Sequence, residues 1–550
     1  MAAKATDLKQ RLSDLKNARS TWESHWQEII EYLLPFRQGI IIKDVAGTKK
    51  MTKIFDSTGT HALQLFAAGL CSRLTNASLR WFRVMPEISQ LMNSRNVKLW
   101  CEEVENIYNM VFNKSNFYTA IHESYIDEAA FGTSAMYIGA HPRWKVYYDT
   151  LNLAECYVAL NQFGQIDTVF REYEMTARAM RQKWGDKISD KAKANLEANK
   201  PDENVTVLHA VYPRKDRDTT KVDNLNMKWA EVYMEPDGEH IINESGYREF
   251  PYCISRYFVA SGEVYGRGPG MIALPDVKML QQMEQDILKA GQKKLSPPIL
   301  LPSDGFLGPI KLTPNGINFY RGDATMQEKI GVFPAPEDMG YADEKLEQKR
   351  NQIGRIFFND LMLLAQDKEV TATEFVQVAQ EKMQMLGPFL GRLQTEKFNP
   401  LFDRTFNILW DAGEIPPPPM ELIRVGGGLR IDYISPLAKA QKNSENQGIM
   451  QTAGFVGQIA AVNPDILDVM DWDESVRRVG ENSGMPQTLI RSPEDVAGIR
   501  QARQKQQQAI QMAQMMQEAG KTVPALSKGP EPGSPMEQIN QGLQQGAGNA

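Results

Sequence analysis

The sequence has little of what catalysis or a membrane would need. Its 550 residues include four cysteines, Cys71, Cys101, Cys156 and Cys253, with no CxxC spacing. Free buried thiols in a cytosolic setting are expected, not disulfides. The six histidines (His25, His61, His122, His141, His209, His240) are scattered, with no HExxH pair. They are read as structural or surface residues, and no metal site is assigned. There is no GxxxxGK[ST] loop to cradle phosphate and no GxSxG nucleophile elbow. No cofactor and no catalytic residue is therefore assigned. No stretch approaches the roughly 18 uninterrupted apolar residues of a membrane span. The opening MAAKATDLKQRLSDLKNARS is charged and helical, without an apolar h-region, and is not read as a secretory signal. An excess of positive charge is missing too. The net charge is −6, which argues against a broad basic face that grips nucleic acid but leaves room for a surface past which DNA slides.

What is present is ordinary globular composition. Hydrophobic residues are 42% and charged residues 24%, enough apolar material for packed cores, and the length implies two to four domains. In residues 6–34, Leu8, Leu12, Leu15, Arg19, Trp22, Trp26, Ile29 and Leu33 follow a seven-residue period broken only by Arg19. A helix packed on its own domain is expected, with an intermolecular coiled coil as the alternative. A helix from Asp56 or Ser57 to about Leu74 turns Leu63, Phe66 and Leu70 inward. Further helices are expected at 96–113 and 117–131. From Ala135 to Arg171 the pattern becomes β: MYIGA, KVYYDTL, CYVALN and TVFREYEM, with NQFGQ as a turn. A charged helical passage follows, then strand signals at VTVLHAVY, WAEVYME, HIINE and CISRYFVA. The first 260 or so residues read as one α+β body.

The chain is organised around Gly266 to Gly413. YGRGPGMIALPDVKMLQQMEQDILKAGQKKLSPP puts Val277, Leu280, Met283 and Ile287 on one helical stripe, and Pro297 and Pro298 stop it. The glycines Gly266, Gly268 and Gly270 have the wrong spacing for a nucleotide loop, and Pro269 removes an N–H, so they read as a turn into the helix. A second helical pattern after Gly340 carries Leu346, Ile353, Phe357, Leu361 and Leu364. The two stripes look too thin to make a core within one chain's two helices, so neighbouring copies are expected to complete it. After the loop LAQDKEVTATE, Thr371 and Glu374 fit a capping box, and a long helix with Gly413 as its C-cap is expected. Pro388 and Pro400 lie inside its apolar period and predict kinks. IPPPPMELIRVGGGLRIDYISP reads as a polyproline run and two short strands around Gly426-Gly427-Gly428. Residues 437–518 are helical, with breaks at Pro464, Pro486 and Pro493. Asp471 and Asp473 are read as first-turn helix residues, and the Gly-, Pro- and Gln-rich end as a disordered tail.

Three segments together resemble the head-to-tail connector (portal) proteins of short-tailed bacteriophages: RSTWESHWQEIIEYLLPFR, YGRGPGMIALPDVKMLQQ, and TATEFVQVAQEKMQMLGPFLGRLQTEKFNPLFDRTFNIL followed by YISPLAKAQ. The match runs in one order from about residue 19 to 442. It implies an α+β, mostly helical subunit with wing, stem, clip and crown regions that assembles into a ring, usually of twelve. By that analogy 1–265 is the wing body, 266–295 and 341–364 the stem helices, and 296–340 the clip. Residues 365–371 would be the tunnel loop, 372–436 a long kinked helix and strands returning to the wing, 437–520 the crown and 521–550 the tail. The resemblance implies double-stranded DNA passing without sequence specificity. It implies contacts with terminase, a tail adaptor, and scaffolding, internal core and major capsid proteins. The location would be the virion vertex, after synthesis in the host cytoplasm, with no membrane. Gln366, Asp367, Lys368 and Glu369, with Lys289, Lys293 and Lys294, are the candidate DNA-facing residues. The alternatives are a cytosolic enzyme and a helical scaffolding or adaptor protein.

Overall fold

The N-terminal pattern folds as one helix, α1 (Ala2–Leu33). In the computed structural model the described residues are 2–41, 47–48, 50–221, 223–302, 311–320, 331–332, 340–362, 386–433, 436–460, 463–483, 485, 489–491 and 493–522. The apolar stripe of α1 divides between two cores. Leu8 and Leu12 pack with Phe170, Leu208 and Val232, while Trp26, Ile29 and Leu33 enter the main core. The helix therefore packs on its own domain. Arg19, the break in the period, is only 2% exposed. Its guanidinium donates to the carbonyls of Leu153, Ala154 and Cys156 and to Glu23. It also lies 3.8 Å over the Tyr157 ring. Burial is tolerated because its donors meet acceptors.

The rest of the first half follows the expected order. Helix α2 (Thr58–Leu74) buries Leu63, Phe66 and Leu70. Helix α3 (Arg95–Lys114) is capped by Ser94, whose hydroxyl accepts from Val97 N, and α4 (Phe117–Phe131) ends at Gly132 with φ 72°. Strand β1 (Phe82–Pro86) stands apart from a three-stranded and a five-stranded sheet. The smaller has the order β3-β2-β9, built from β2 (Thr133–His141), β3 (Lys145–Leu151) and β9 (Tyr252–Arg256). The larger runs in sequence order, with β4 (Cys156–Leu160), β5 (Ile166–Thr176), β6 (Asn204–Pro213), β7 (Trp229–Glu235) and β8 (His240–Tyr247). The charged passage between β5 and β6 is two short helices, α5 (Ala177–Trp184) and α6 (Asp190–Glu197), which pack Ala177, Met180 and Ala192 against Val205 and Val207.

The second half begins with α7 (Pro269–Leu295). The insert contributes β10 (Ile299–Pro302), β11 (Ile317–Tyr320) and β12 (Gly331–Val332), ordered β11-β10-β12. Helix α8 (Gly340–Ile356) returns the chain. The helical pattern expected over 341–364 breaks at Phe358, whose φ of 54° is left-handed. A short α9 (Asn359–Met362) follows. Thr371, Glu374 and the tunnel-loop segment lie outside the described residues.

The kinked helix is α10 (Gly387–Leu393), a π-turn (Gln394–Phe398) and α11 (Asn399–Asp411). Pro400 has no N–H for the carbonyl four residues back, and the wider turn, with Asn399 N donating to Gln394 O, absorbs the mismatch. Gly413 takes φ 69° just past α11, as its C-cap reading requires. Of the two strands expected around the glycine triplet, the first is instead a helix, α12 (Met420–Val425), closed by Gly426 at φ 64°. The left-handed glycine cap ends a helix here, which a strand reading did not anticipate. The second is β13 (Leu429–Tyr433), which pairs antiparallel with β1 from Phe82↔Tyr433 to Pro86↔Leu429. The last helices are α13 (Pro436–Ala460), α14 (Trp472–Asn482) and α15 (Pro493–Thr522). Asp471 caps α14 by accepting from Glu474 N, and Asp473 pairs with Arg500 at 2.7 Å.

The GRGPG turn is a packing seam. A Cβ on Gly266 would lie 2.2 Å from Gly132 O, on Gly268 2.6 Å from Glu128 O, and on Gly270 2.7 Å from Ala130 O. The backbone entering α7 lies directly on the C-terminal turn of α4, which only glycine permits. Gly268→Ala should cost about 2–3 kcal/mol by overpacking. Gly291→Ala, with nothing within 4 Å of its Cβ, should gain about 0.5–1 kcal/mol of helix propensity. Urea denaturation midpoints of the two variants check both signs.

Candidate channel-lining site

The helix pair α7 and α8 is where the sequence concentrates its candidate residues. Its base is clamped into the body. Val277, Leu280, Leu346, Ile353 and Phe357 are all buried in the main core beside residues of α1, α2 and α4. The two stripes are thus completed by the chain's own helices at this end, where the sequence alone suggested a thin core. Gln281 of α7 accepts from Phe55 N and Asp56 N and donates to Asp56 O. Lys349 pairs with Asp276 at 2.9 Å, and Arg350 reaches Asp56 at 2.9 Å and also Glu284. Burial works against ionisation of Asp56, but bonds from Thr58 and Arg350 outweigh it and hold its carboxyl below the usual range. These bonds join α7 and α8 to each other and to the segment before α2, so the pair is fixed at its root.

Towards the insert the pair loses this cover. Leu288 is 51% and Leu295 87% exposed. Lys289, Lys293 and Lys294 lie on this end. Lys289 is exposed and pairs loosely with Asp286 at 3.5 Å. Lys293 and Lys294 occupy the last turn of α7, where positive charge suits the helix dipole. Lys289 and Lys293 share a stripe, and Lys294 lies about 100° round the helix from Lys293. Gln366, Asp367, Lys368 and Glu369 lie outside the described residues.

Behind the helix pair is a charge cluster that sequence reasoning did not single out. The π-turn sends two successive side chains to different partners. Glu396 receives Arg256 Nη2 at 2.7 Å and Nε at 3.1 Å, together with Arg256 N. Lys397 meets Glu128 of α4 at 2.6 Å with both side chains fully buried, and its ammonium lies 4.6 Å over the Tyr125 ring. The Ser255 hydroxyl donates to the same Glu128 carboxylate. Burial pushes Glu128 up and Lys397 down from their ordinary ranges, against their mutual attraction. The only sequence signal was a Glu-Lys dipeptide inside an apolar period, and most such pairs face water. No catalytic geometry accompanies the cluster. Among the described residues no group of His, Cys, Asp and Glu could hold a metal ion, and no helix is long and apolar enough to cross a membrane.

These elements make an α+β body carrying a helix pair whose root is fixed by internal ion pairs. The chain belongs to the bacteriophage head to tail connecting proteins, whose family model matches residues 5–490. It is 34% identical over 526 residues to "Probable portal protein" of Bordetella phage BPP-1, covering 94% of each chain. It is 33% identical over 532 residues to "Portal protein" of Salmonella phage epsilon15, covering 95% of each. The family is structural, not enzymatic.

Two outcomes test the buried charges. Lys397→Met should cost about 3–5 kcal/mol, because it strands the Glu128 carboxylate, and adding Glu128→Gln should recover part of that loss in a denaturant titration. Asp127, beside Glu128, is pushed up to about 7 by burial despite its Arg37 partner at 2.6 Å. The folded chain then holds a proton that the unfolded chain releases. Stability should fall as pH rises from about 4 to about 7, and Asp127→Asn should flatten that part of the profile.

Proposed function

We propose that this chain is a phage portal subunit. Copies close into a ring at one capsid vertex, DNA passes through the central channel in packaging and ejection, and terminase and tail dock on the ring. The observation that carries this reading is similarity across 94–95% of both chains to two proteins named as portal proteins. An enzyme or a helical adaptor is not favoured by that full-length match.

The regional reading follows from the proposal. Residues 1–265 form the wing, joined by 372–436; 266–295 and 341–364 are the stem, 296–340 the clip, 365–371 the tunnel loop and 437–520 the crown. Helix α7 has 27 residues, about 40 Å at 1.5 Å per residue, long enough to cross a capsid wall. The insert at its tip, with its own small sheet, is the docking end for terminase or tail adaptor. Twelve copies would multiply every inward lysine twelvefold. An acidic chain with sparse lysines suits a channel through which DNA must move, because many neutralised phosphates would release counterions and hold the duplex fast. Lys368, Lys289, Lys293 and Lys294 are the proposed sparse DNA-facing cations, with Gln366, Asp367 and Glu369 beside Lys368.

Negative-stain images of the purified chain should show rings with a central hole. A strictly monomeric protein at micromolar concentration in near-physiological salt overturns the proposal. Lys368→Glu should leave ring assembly intact and change packaged DNA length or genome retention. Unchanged packaging and retention remove Lys368 from the channel wall.

A further inference from the structure

A groove of about 660 Å³ lies between α11, from Phe402 to Trp410, α12 and the glycine triplet. Phe402, Phe406, Trp410, Leu422 and Ile423 form its apolar walls. Phe406 stacks on Trp410 with ring centroids 6.0 Å apart and an interplanar angle of 13°. Trp410 is 42% and Ile423 54% exposed, and Met420 and Val425 on the rim are also exposed. One carboxylate in the groove, Asp403, has no partner among the described residues. Burial and the neighbouring Glu249 carboxylate push its pKa up. Such an apolar, underfilled groove with a charge at its edge marks a surface that another chain covers.

The same subunit carries a projection of matching character. The β4–β5 hairpin ends in Phe163, 77% exposed. This tip is held rigidly: Asn161 Oδ1 accepts from Phe163 N at 2.8 Å and Gln165 N at 3.0 Å, and Asn161 N donates to Gln165 O at 2.8 Å. Gly164 O accepts from Arg256 Nη2 at 3.0 Å, the same guanidinium that grips Glu396. Phe258, two residues beyond Arg256, is 59% exposed. The hairpin tip is therefore anchored at the π-turn that precedes α11, and the groove runs along α11 from Phe402 to its far end at Trp410. From Glu396 to Trp410 is fourteen residues, about 21 Å of helix. The charges at the two ends are opposite in balance. Arg256, Arg267 and Arg392 face Glu263 and Glu396 beside the tip. The groove is lined by the acids Glu249 and Asp403 and the base Arg248, with Arg404 and Asp411 paired to Glu249 and Arg248 beside it.

We propose that the Phe163 hairpin tip of one copy seats in the α11–α12 groove of the next copy, so that a second copy of this chain is the groove's occupant. This rests on the ring reading above and names a contact that would build the ring. Because knob and groove are separate surfaces, each seated copy still presents one of each. The contact is heterologous and continues until the rotation closes it. A phenylalanine entering a pocket walled by phenylalanine and tryptophan is the chemistry of an interface hot spot, and the opposed charge balance orients it.

The test uses the full-length chain with Phe163→Cys and Ile423→Cys together, oxidised mildly or joined by a short bis-maleimide. A ladder of covalent oligomers on denaturing gels is expected, with none from either single variant. Phe163→Asp, at an exposed position, should leave the melting temperature unchanged and raise the concentration for half-assembly at least tenfold. Rings in the wild type together with no ladder and normal assembly of Phe163→Asp overturn this contact while leaving the portal reading intact. No rings in the wild type overturn both.

Discussion

The desolvated pair between Glu128 and Lys397 constrains much of this subunit. Two opposite charges at 2.6 Å with no water-exposed surface are tolerable only if their geometry is kept, because either charge alone in the interior would be far costlier than the pair. The π-turn keeps it. By widening the helix at the proline it points Lys397 into the body and leaves Glu396 for Arg256, so that α4, β9 and the helix of residues 387–411 are pinned at one place. The aromatic cluster around Trp81, Phe112, Phe117, Phe398 and Phe402 packs next to it, and its close ring contacts fix the helix along its length.

A second constraint meets the first at the end of α4. The backbone of Gly266 to Gly270 lies against Glu128 to Gly132 with no room for a side chain. The residue whose carboxylate holds the π-turn thus also lends its carbonyl to the seam where α7 begins. The helices of the N-terminal body, the helix of residues 387–411 and the α7–α8 pair are coupled through one helical turn. The root of the pair is further tied by charge and amide bonds around Asp56 and Gln281. Its far end has few such ties and large exposed apolar side chains.

Much of the fold was legible from periodicity. The helices of residues 2–33, 58–74, 95–114 and 117–131 follow runs of period 3.6, because burying one face imposes that spacing locally, and the strands of the β3-β2-β9 sheet and of the five-stranded sheet fall on runs rich in β-branched and aromatic residues. The family, too, was legible, since three segments in order carry it. The candidate lysines were found by composition and place in the chain, and for Lys289, Lys293 and Lys294 the end of α7 is where they lie.

What sequence could not decide were matters of partner choice. Arg19 broke the seven-residue period, and only the fold shows that it is buried, because three carbonyls of a distant turn converge on it. Glu128 and Lys397 are 269 positions apart, and no local pattern distinguishes them from solvated charges. MELIRV has the residues of a strand, and its glycine neighbour and packing made it a helix. The glycines of GRGPG were readable as a turn, but only the approach of α4 explains why each lacks a side chain. Local spacing determined most of the elements, and the likeness of three segments in order carried the family. Tertiary structure decided which charges meet, because desolvation and close backbone contact arise only when distant segments share the same space.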